Sequence, residues 1–384
     1  MSSLLVTVTG LDHPGVTAGL MDVLAEHGVV VEDVEQVVVH GRLLLGVVIA
    51  SERSEVRSAL ERAARDLGVA VEFERLDDEE PAVTVRHHVV VLGAPLPPAA
   101  LAGVARRLAA CDANIERVVR LSSWPAQSFE LFVSGGDTGR LRAELAAEAV
   151  LQEVDVAVER ASIYRRAKRL VVMDVDSTLV RGEVIEMLAA EAGCQAEVAR
   201  VTAAAMAGEL DFEASLRTRV ALLAGLSVDA VDRVRAAVTL TPGARTLVRT
   251  LKRLGWTVGI VSGGFTAVTD DLRDELGLDH ALANVLEVVD GRLTGQLVGP
   301  VVDRAAKAAA LRRFAAEEGL LTEQTVAIGD GANDLDMLEA AGLGIAFNAK
   351  PVVRDAADAA LSVPFLDAVL FLLGIPRDEI EQAL

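Results

Sequence analysis

Cysteine is nearly absent from this 384-residue chain: there are two, Cys111 and Cys194, far apart and outside any CxxC or Cys/His spacing. That argues against a disulfide scaffold or a zinc–thiolate site and for buried thiols in a reducing cytoplasm. Aromatic residues make up only 3%. Lysine is scarcer still, with Lys168, Lys252, Lys307 and Lys350 the only four among 37 basic side chains. Where such a chain keeps lysine instead of arginine, a compact ammonium has a reason to be there. Positive charge is outnumbered, 37 Lys and Arg against 57 Asp and Glu for a net charge of −20. Neither a nucleic-acid nor an anionic-membrane partner is expected of such a surface. No apolar run reaches the roughly 20 residues of a membrane span. "MSSLLVTVTGLDHPG" lacks the basic start of a signal segment, so a soluble cytoplasmic protein is expected. This length implies two or three cores.

What is present is ordered in blocks. Residues 1–80 read strand, helix, strand, strand, helix, strand: "LLVTVTG", "PGVTAGLMDVLAEHG", "VVVEDVEQVVVHG", "RLLLGVVIAS", "SEVRSALERAARDLG", "VAVEFERL". This βαββαβ order predicts an antiparallel sheet packed on two helices. After the polar stretch "DDEEP" the order repeats over residues 81–164, so two copies of one small module are expected. From residue 165 to 384, apolar strands "RLVVMD", "TVGIVSG" and "TVAIGDG" alternate with Ala- and Leu-rich helical stretches. That pattern predicts a parallel sheet covered on both faces. The long helical interval between the first two strands exceeds a crossover and predicts an inserted cap at about 184–240. "VLEVVDGRLTGQLV" alternates about Asp290-Gly291, a hairpin signal.

The chemistry gathers where these strands end, as it does in open α/β sheets. "RLVVMDVDSTLV" closes an apolar strand with Asp174 and Asp176. On an extended segment, residues i and i+2 face one way. Two carboxylates that close repel unless a cation or a proton keeps them, and Mg²⁺ prefers such hard oxygen ligands. An EF-hand loop is excluded, since its glycine position is Leu179 and its glutamate position is Ile185. The second strand ends "VSGGF", where Ser262, Gly263 and Gly264 offer a hydroxyl and close backbone N–H groups to an anion. The similar "VSGGD" at 133–137 reads instead as a loop glycine pair. The third ends "AIGDGANDLDM", bringing Asp330, Asn333 and Asp334. Lys307, on "DRAAKAAALRRF", is a candidate partner for a phosphoryl oxygen, with Lys350 as its competitor.

In this order the residues resemble the haloacid dehalogenase superfamily: DxDx[TV] at Asp174–Thr178, Ser262, Lys307, and the GD(x)nD signature at Gly329–Asp334. Within it, "DVDST", "SGGF" and "GDGANDLDM" are most similar to the phosphoserine phosphatase family. The resemblance implies a Rossmann-like core with a helical cap. It implies Asp174 as nucleophile and Asp176 as general acid and base, with Mg²⁺ on Asp174, the Asp176 carbonyl and Asp330. Ser262, Gly263 and Lys307 would hold the phosphoryl oxygens, Asn333 the phosphate or water, and Asp334 would orient Lys307. Glu183 and Arg219 would take the ammonium and carboxylate of O-phospho-L-serine, beneath an apolar lid of Met206 and Phe212. Residues 1–80 and 81–164 resemble ferredoxin-like ACT domains, which bind amino acids between copies and pair. "GLDHPGV" at 10–16 matches their first turn; "GAPLPPAA" at 93–100 departs from it. Serine as effector and a homodimer follow as expectations. The alternatives are a phosphatase or phosphotransferase for another small phosphomonoester, and an amino-acid-sensing protein with an inert catalytic domain. The second would lack one of Asp174, Asp176, Lys307 or Asp330, and none is missing.

Overall fold

The computed structural model describes residues 3–76, 86–206 and 210–382, with the side chains of Arg86 and Met206 also outside the description. The expected linker at 77–81 lies outside the described residues. The chain divides into two compact units, Met1–Val83 and Thr84–Leu384. In the first, β1 (Ser3–Leu11), α1 (Val16–Glu26), β2 (Val31–Val39), β3 (Arg42–Ile49), α2 (Ser54–Asp66) and β4 (Val69–Leu76) follow the expected order. The antiparallel sheet runs β2-β3-β1-β4. Its period-2 alternation sends Leu4, Val6, Val8, Leu43, Leu45, Val47 and Ile49 into one core with Leu20, Leu24, Val56 and Leu60 of the helices. The edge strand β2 is exposed along its whole length.

The second unit opens with the other copy: β5 (Arg86–Gly93), α3 (Pro98–Ala110), β6 (Ala113–Ser122), β7 (Gln127–Gly135), α4 (Thr138–Gln152) and β8 (Asp155–Arg160). The "VSGGD" glycines turn the chain from β7 to α4 with φ of 73° at Gly135 and 71° at Gly136. The short α5 (Ile163–Arg166) then leads to β9 (Leu170–Met173), followed by four helices, α6 (Val184–Ala192), α7 (Gln195–Met206), α8 (Phe212–Ala221) and α9 (Val228–Ala237). Next come α10 (Ala244–Arg253), β10 (Thr257–Phe265), α11 (Thr266–Leu276) and the hairpin β11 (His280–Val289) and β12 (Arg292–Val298), turning at Asp290-Gly291 as expected. The chain finishes with α12 (Arg304–Glu317), β13 (Thr325–Gly329), α13 (Leu335–Ala340), β14 (Leu343–Phe347), β15 (Ala359–Leu361) and short helical turns.

All these strands make one sheet of eleven, β12-β11-β10-β9-β13-β14-β15-β8-β5-β7-β6. Strands β11, β10, β9, β13, β14 and β15 are parallel neighbours, and β9 is apolar and fully buried, as a strand covered on both faces must be. The join at β15 and β8 is antiparallel, pairing Ala359 with Ala157. One face of the second copy's sheet, Val89, Val91, Leu131, Val133 and Val158, packs with Val104, Leu108, Leu141 and Leu145 of its own helices. The other, Val90, Leu92 and Ala157, shares a core with Leu366, Val369 and Leu370 near the C-terminus. Two modules that look alike in sequence are therefore embedded differently, the second as part of the larger sheet.

Candidate active site

Strand β9 stops at Met173, and Asp174 to Leu179 form a tight turn closed by the Val180 N–H on the Val175 carbonyl at 2.9 Å. Ser177 takes left-handed backbone, φ 57°. The two aspartates thus reach the site around a turn instead of along a continued strand, and each carboxylate finds its own partners. Asp176 Oδ1 accepts the N–H of Val184 at the start of α6 (2.7 Å), and Asp176 Oδ2 accepts the Ser262 hydroxyl (3.3 Å). Gly264 N–H donates to Ser262 Oγ at 2.7 Å. A Cβ at Gly264 would come to 2.7 Å from Asp176 Oδ2 and 2.9 Å from Ser262 Oγ, so a larger residue would displace both side chains. Ser177 donates its hydroxyl to Glu183 Oε1 (2.9 Å) and Thr178 to Asp330 Oδ1 (3.2 Å).

Lys307 has no exposed surface, and its ammonium lies 2.7 Å from Asp174 Oδ1 and 2.6 Å from Asp334 Oδ1. Asp334 Oδ2 also accepts the Gly331 N–H at 3.0 Å. Burial alone would lower the Lys307 pKa, but Asp174 and Asp334 outweigh it and hold the lysine charged, above its ordinary value. Lys350, the competitor, is exposed at the start of a short helix. Burial raises the carboxyl of Asp174 well above the usual range, helped by the charge of Asp334, and burial also raises Asp176. Asp330 is pushed up to about 6, by burial and then by Asp334.

Oxygens of Asp174, Asp330 and Asp334 lie within 4.8 Å of one another. Asp174 Oδ1 is buried and, though close to the ammonium, has no aligned hydrogen-bond donor. One buried lysine among these carboxylates leaves the cluster short of positive charge, and an all-oxygen donor set suits a hard divalent cation. The residues present fit a metal of that kind.

On the cap side, burial pushes Glu183 up to about 7, with the Asp176 charge adding to it. Arg219, on α8, is lowered by burial and feels the charges of Glu183 and Asp176. The Phe212 ring lies over Gly263, where a Cβ would approach it to 3.2 Å. Met206 has its backbone in α7, but its side chain is outside the described residues. Asn333 is half-buried with its amide oxygen folded against Gly331. One residue here has no motif to announce it: Asn284, on β11, is buried, donating to the Gly263 carbonyl and accepting the Val302 N–H, each at 2.8 Å. Its only signal in the sequence is a polar residue inside the apolar run "HALANVLEVV".

A buried aspartate and lysine at the carboxyl ends of a capped parallel sheet define a class, and residues 171–339 match the haloacid dehalogenase-like hydrolase family. Residues 2–74 and 85–159 each match an ACT domain. The chain is 57% identical to a phosphoserine phosphatase of Streptomyces coelicolor over 99% of its own length and 94% of that protein. It is 53% identical to phosphoserine phosphatase SerB2 of Mycobacterium tuberculosis over 99% of its length and 95% of the relative. Among solved structures, a substrate-bound phosphoserine phosphatase complex is 44% identical, covering 53% of this chain and 98% of that one, with a TM-score of 0.51. A probable phosphoserine phosphatase from Vibrio cholerae is 36% identical over 77% of this chain and 89% of its own, with a TM-score of 0.60. The chain belongs to the phosphoserine phosphatase family of haloacid dehalogenase-like hydrolases, with two ACT domains.

Proposed function

We propose that this protein hydrolyses O-phospho-L-serine to L-serine and phosphate. The observation that carries the reading is that Glu183 and Arg219, of opposite charge, both stand near enough to Asp176 to feel its charge. One site then offers a carboxylate for an ammonium, a guanidinium for a carboxylate and a cradle for a phosphoryl group. An Asp174 oxygen attacks phosphorus as the bond from phosphorus to the seryl oxygen breaks, and Asp176 gives that oxygen a proton. Serine leaves, Asp176 takes a proton from water, and the resulting hydroxide attacks the aspartyl-phosphate and frees Asp174. The raised carboxyl of Asp176 suits a group that must carry a proton in one half-reaction and release it in the other. Ser262, the Gly263 N–H and Lys307 stabilise the equatorial oxygens, while Asn333 contacts phosphate or water and Asp334 orients Lys307. Asp174, the Asp176 carbonyl and Asp330 would hold the cation, Mg²⁺, which when bound would supply charge neutralisation at the phosphoryl group. Phe212, over Gly263, is the apolar cover of the phosphoryl site.

By transition-state arithmetic, Asp174→Asn should cost about a thousandfold or more in phosphate release. An undiminished variant refutes the chemistry. We assign residues 1–80 and 81–164 to amino-acid control, with serine as effector, 165–384 to catalysis with the cap at about 184–240, and the protein to the cytoplasm. Titration calorimetry with serine and other amino acids tests the effector; no heat at millimolar concentration removes it. The open edge of β2, with Val34, Val37, Val38 and Val39 exposed, favours a homodimer. A monomeric mass by light scattering at micromolar concentration contradicts that pairing.

A further inference from the structure

Asn284 is 2% exposed, and its amide is spent entirely on backbone belonging to the two segments that carry Ser262 and Lys307. Its Nδ2 donates to the carbonyl of Gly263. That carbonyl belongs to the same peptide unit as the N–H of Gly264, and the unit is planar, so holding one end aims the other. The aimed N–H donates to Ser262 Oγ at 2.7 Å. With one lone pair occupied, the Ser262 hydroxyl points its proton away, toward the site, where Asp176 Oδ2 now accepts it at 3.3 Å. Hydrogen bonds in series polarise one another, so the chain from Asn284 through the peptide to Ser262 also makes that hydroxyl a better donor.

The other end of the amide does a matching task. Asn284 Oδ1 accepts the N–H of Val302, the residue before Asp303. Asp303 caps α12, its carboxylate accepting the Ala306 N–H at 2.8 Å, and Lys307 stands one turn into that helix. A single buried side chain thus ties the end of β10, which bears Ser262, to the start of the helix bearing Lys307. A core strand position could have been filled by valine at no desolvation cost, whereas a buried amide is tolerated only when fully paired.

We infer that Asn284 is a positioning residue for phosphoryl transfer, one that orients the Ser262 hydroxyl through the Gly263–Gly264 peptide and sets its distance from Lys307. The inference rests on the phosphomonoester chemistry proposed above, not on serine being the leaving group.

The test is a double-mutant cycle between Asn284→Asp and Ser262→Ala, with kcat and KM measured on phosphoserine and on p-nitrophenyl phosphate. Asn284→Asp keeps the acceptor for Val302 and loses the donor to Gly263. It should lower kcat by about 10- to 100-fold, short of or equal to the loss of a direct oxyanion donor, with a smaller change in KM. Beside Ser262→Ala its further effect should shrink to a fewfold, because the hydroxyl it aims is gone. An equal loss in both backgrounds, or no loss in the wild-type background, overturns the inference. Should the introduced carboxylate unfold the chain, as circular dichroism would show, Asn284→Ser is carried through the same cycle and read by the same criteria. Wild-type turnover of p-nitrophenyl phosphate with none of phosphoserine would sink the substrate assignment and leave the Asn284 cycle readable.

Discussion

At the scale of residues, the site is an arrangement of buried charge whose imbalance is its chemistry. Asp174, Asp176 and Asp330 all sit above their ordinary carboxyl range, and the charge of Lys307, with Arg219 acting on Asp176, offsets them in part. Most of these residues are legible in the sequence because they need particular chemistry at fixed spacing: an acid pair at a strand end, a hydroxyl before glycines, one lysine in a chain that prefers arginine. Asn284 is not legible, since its role lies in which backbone groups it reaches across β11, and a lone polar residue in an apolar strand carries no such address. Glu183 gives the pH dependence. With its carboxyl at about 7, the charge that attracts an ammonium is lost as pH falls through neutrality. KM for phosphoserine should therefore rise as pH drops from 8 to 6, by about tenfold per unit well below the pKa, while Glu183→Gln should show a raised KM that is flat over that range. A wild-type KM independent of pH there contradicts the assignment. The sign for stability is opposite. The folded chain binds this proton more tightly than the unfolded chain, so the contribution of Glu183 to folding is greatest below about 4.5 and is lost as pH rises toward 7.

At the scale of elements, local signals are reliable and long-range partners are not. The βαββαβ order, the Asp290-Gly291 hairpin and the capping interval follow from periodicity and turn residues. The pairing of β15 with β8 in the middle of the sheet does not, because Ala359 and Ala157 lie far apart in the chain and alanine says nothing about its neighbour. Around that join is a buried charged cluster that period reading passes over. Arg165 bridges Glu130 of β7 at 2.7 Å and Glu159 of β8 at 3.1 Å, Lys168 pairs with Glu159, and His88 of β5 lies 2.8 Å from Glu130. Burial favours the neutral form of Glu130, yet the His88 hydrogen bond and the Arg165 charge hold its carboxyl below the usual range. Its pairing therefore stabilises the fold above about pH 4.5 and is lost in more acid solution. Arg165→Met should leave the buried Glu130 and the half-buried Glu159 each short of a partner and cost about 3 kcal/mol, read as a lower urea midpoint at pH 7. An unchanged midpoint would show that the cluster does not hold the second copy to the catalytic sheet.

At the scale of the whole molecule, the ACT pair is asymmetric: the first copy has its own closed core, and the second contributes four strands and one sheet face to the catalytic unit. Removing residues 1–83 should leave a cooperative melt within a few degrees of the full chain. Removing 1–160 strips cover from Leu366, Val369 and Leu370 and should give insoluble protein. A soluble, cooperatively folded chain from 161 onward would contradict the shared core. Such embedding joins the second module through one continuous sheet to the strands that carry Asp174 and Asp330, while the similarity of the two copies in sequence gives no hint of it. Substrate choice is read most directly from phosphate release by a panel of O-phospho-L-serine, O-phosphothreonine and sugar phosphates, with and without Mg²⁺. Phosphoserine should have the highest kcat/KM, and chelating the metal should abolish turnover. Preference for a sugar phosphate, which offers neither an ammonium for Glu183 nor a carboxylate for Arg219, or full activity in chelator, would contradict the proposed function.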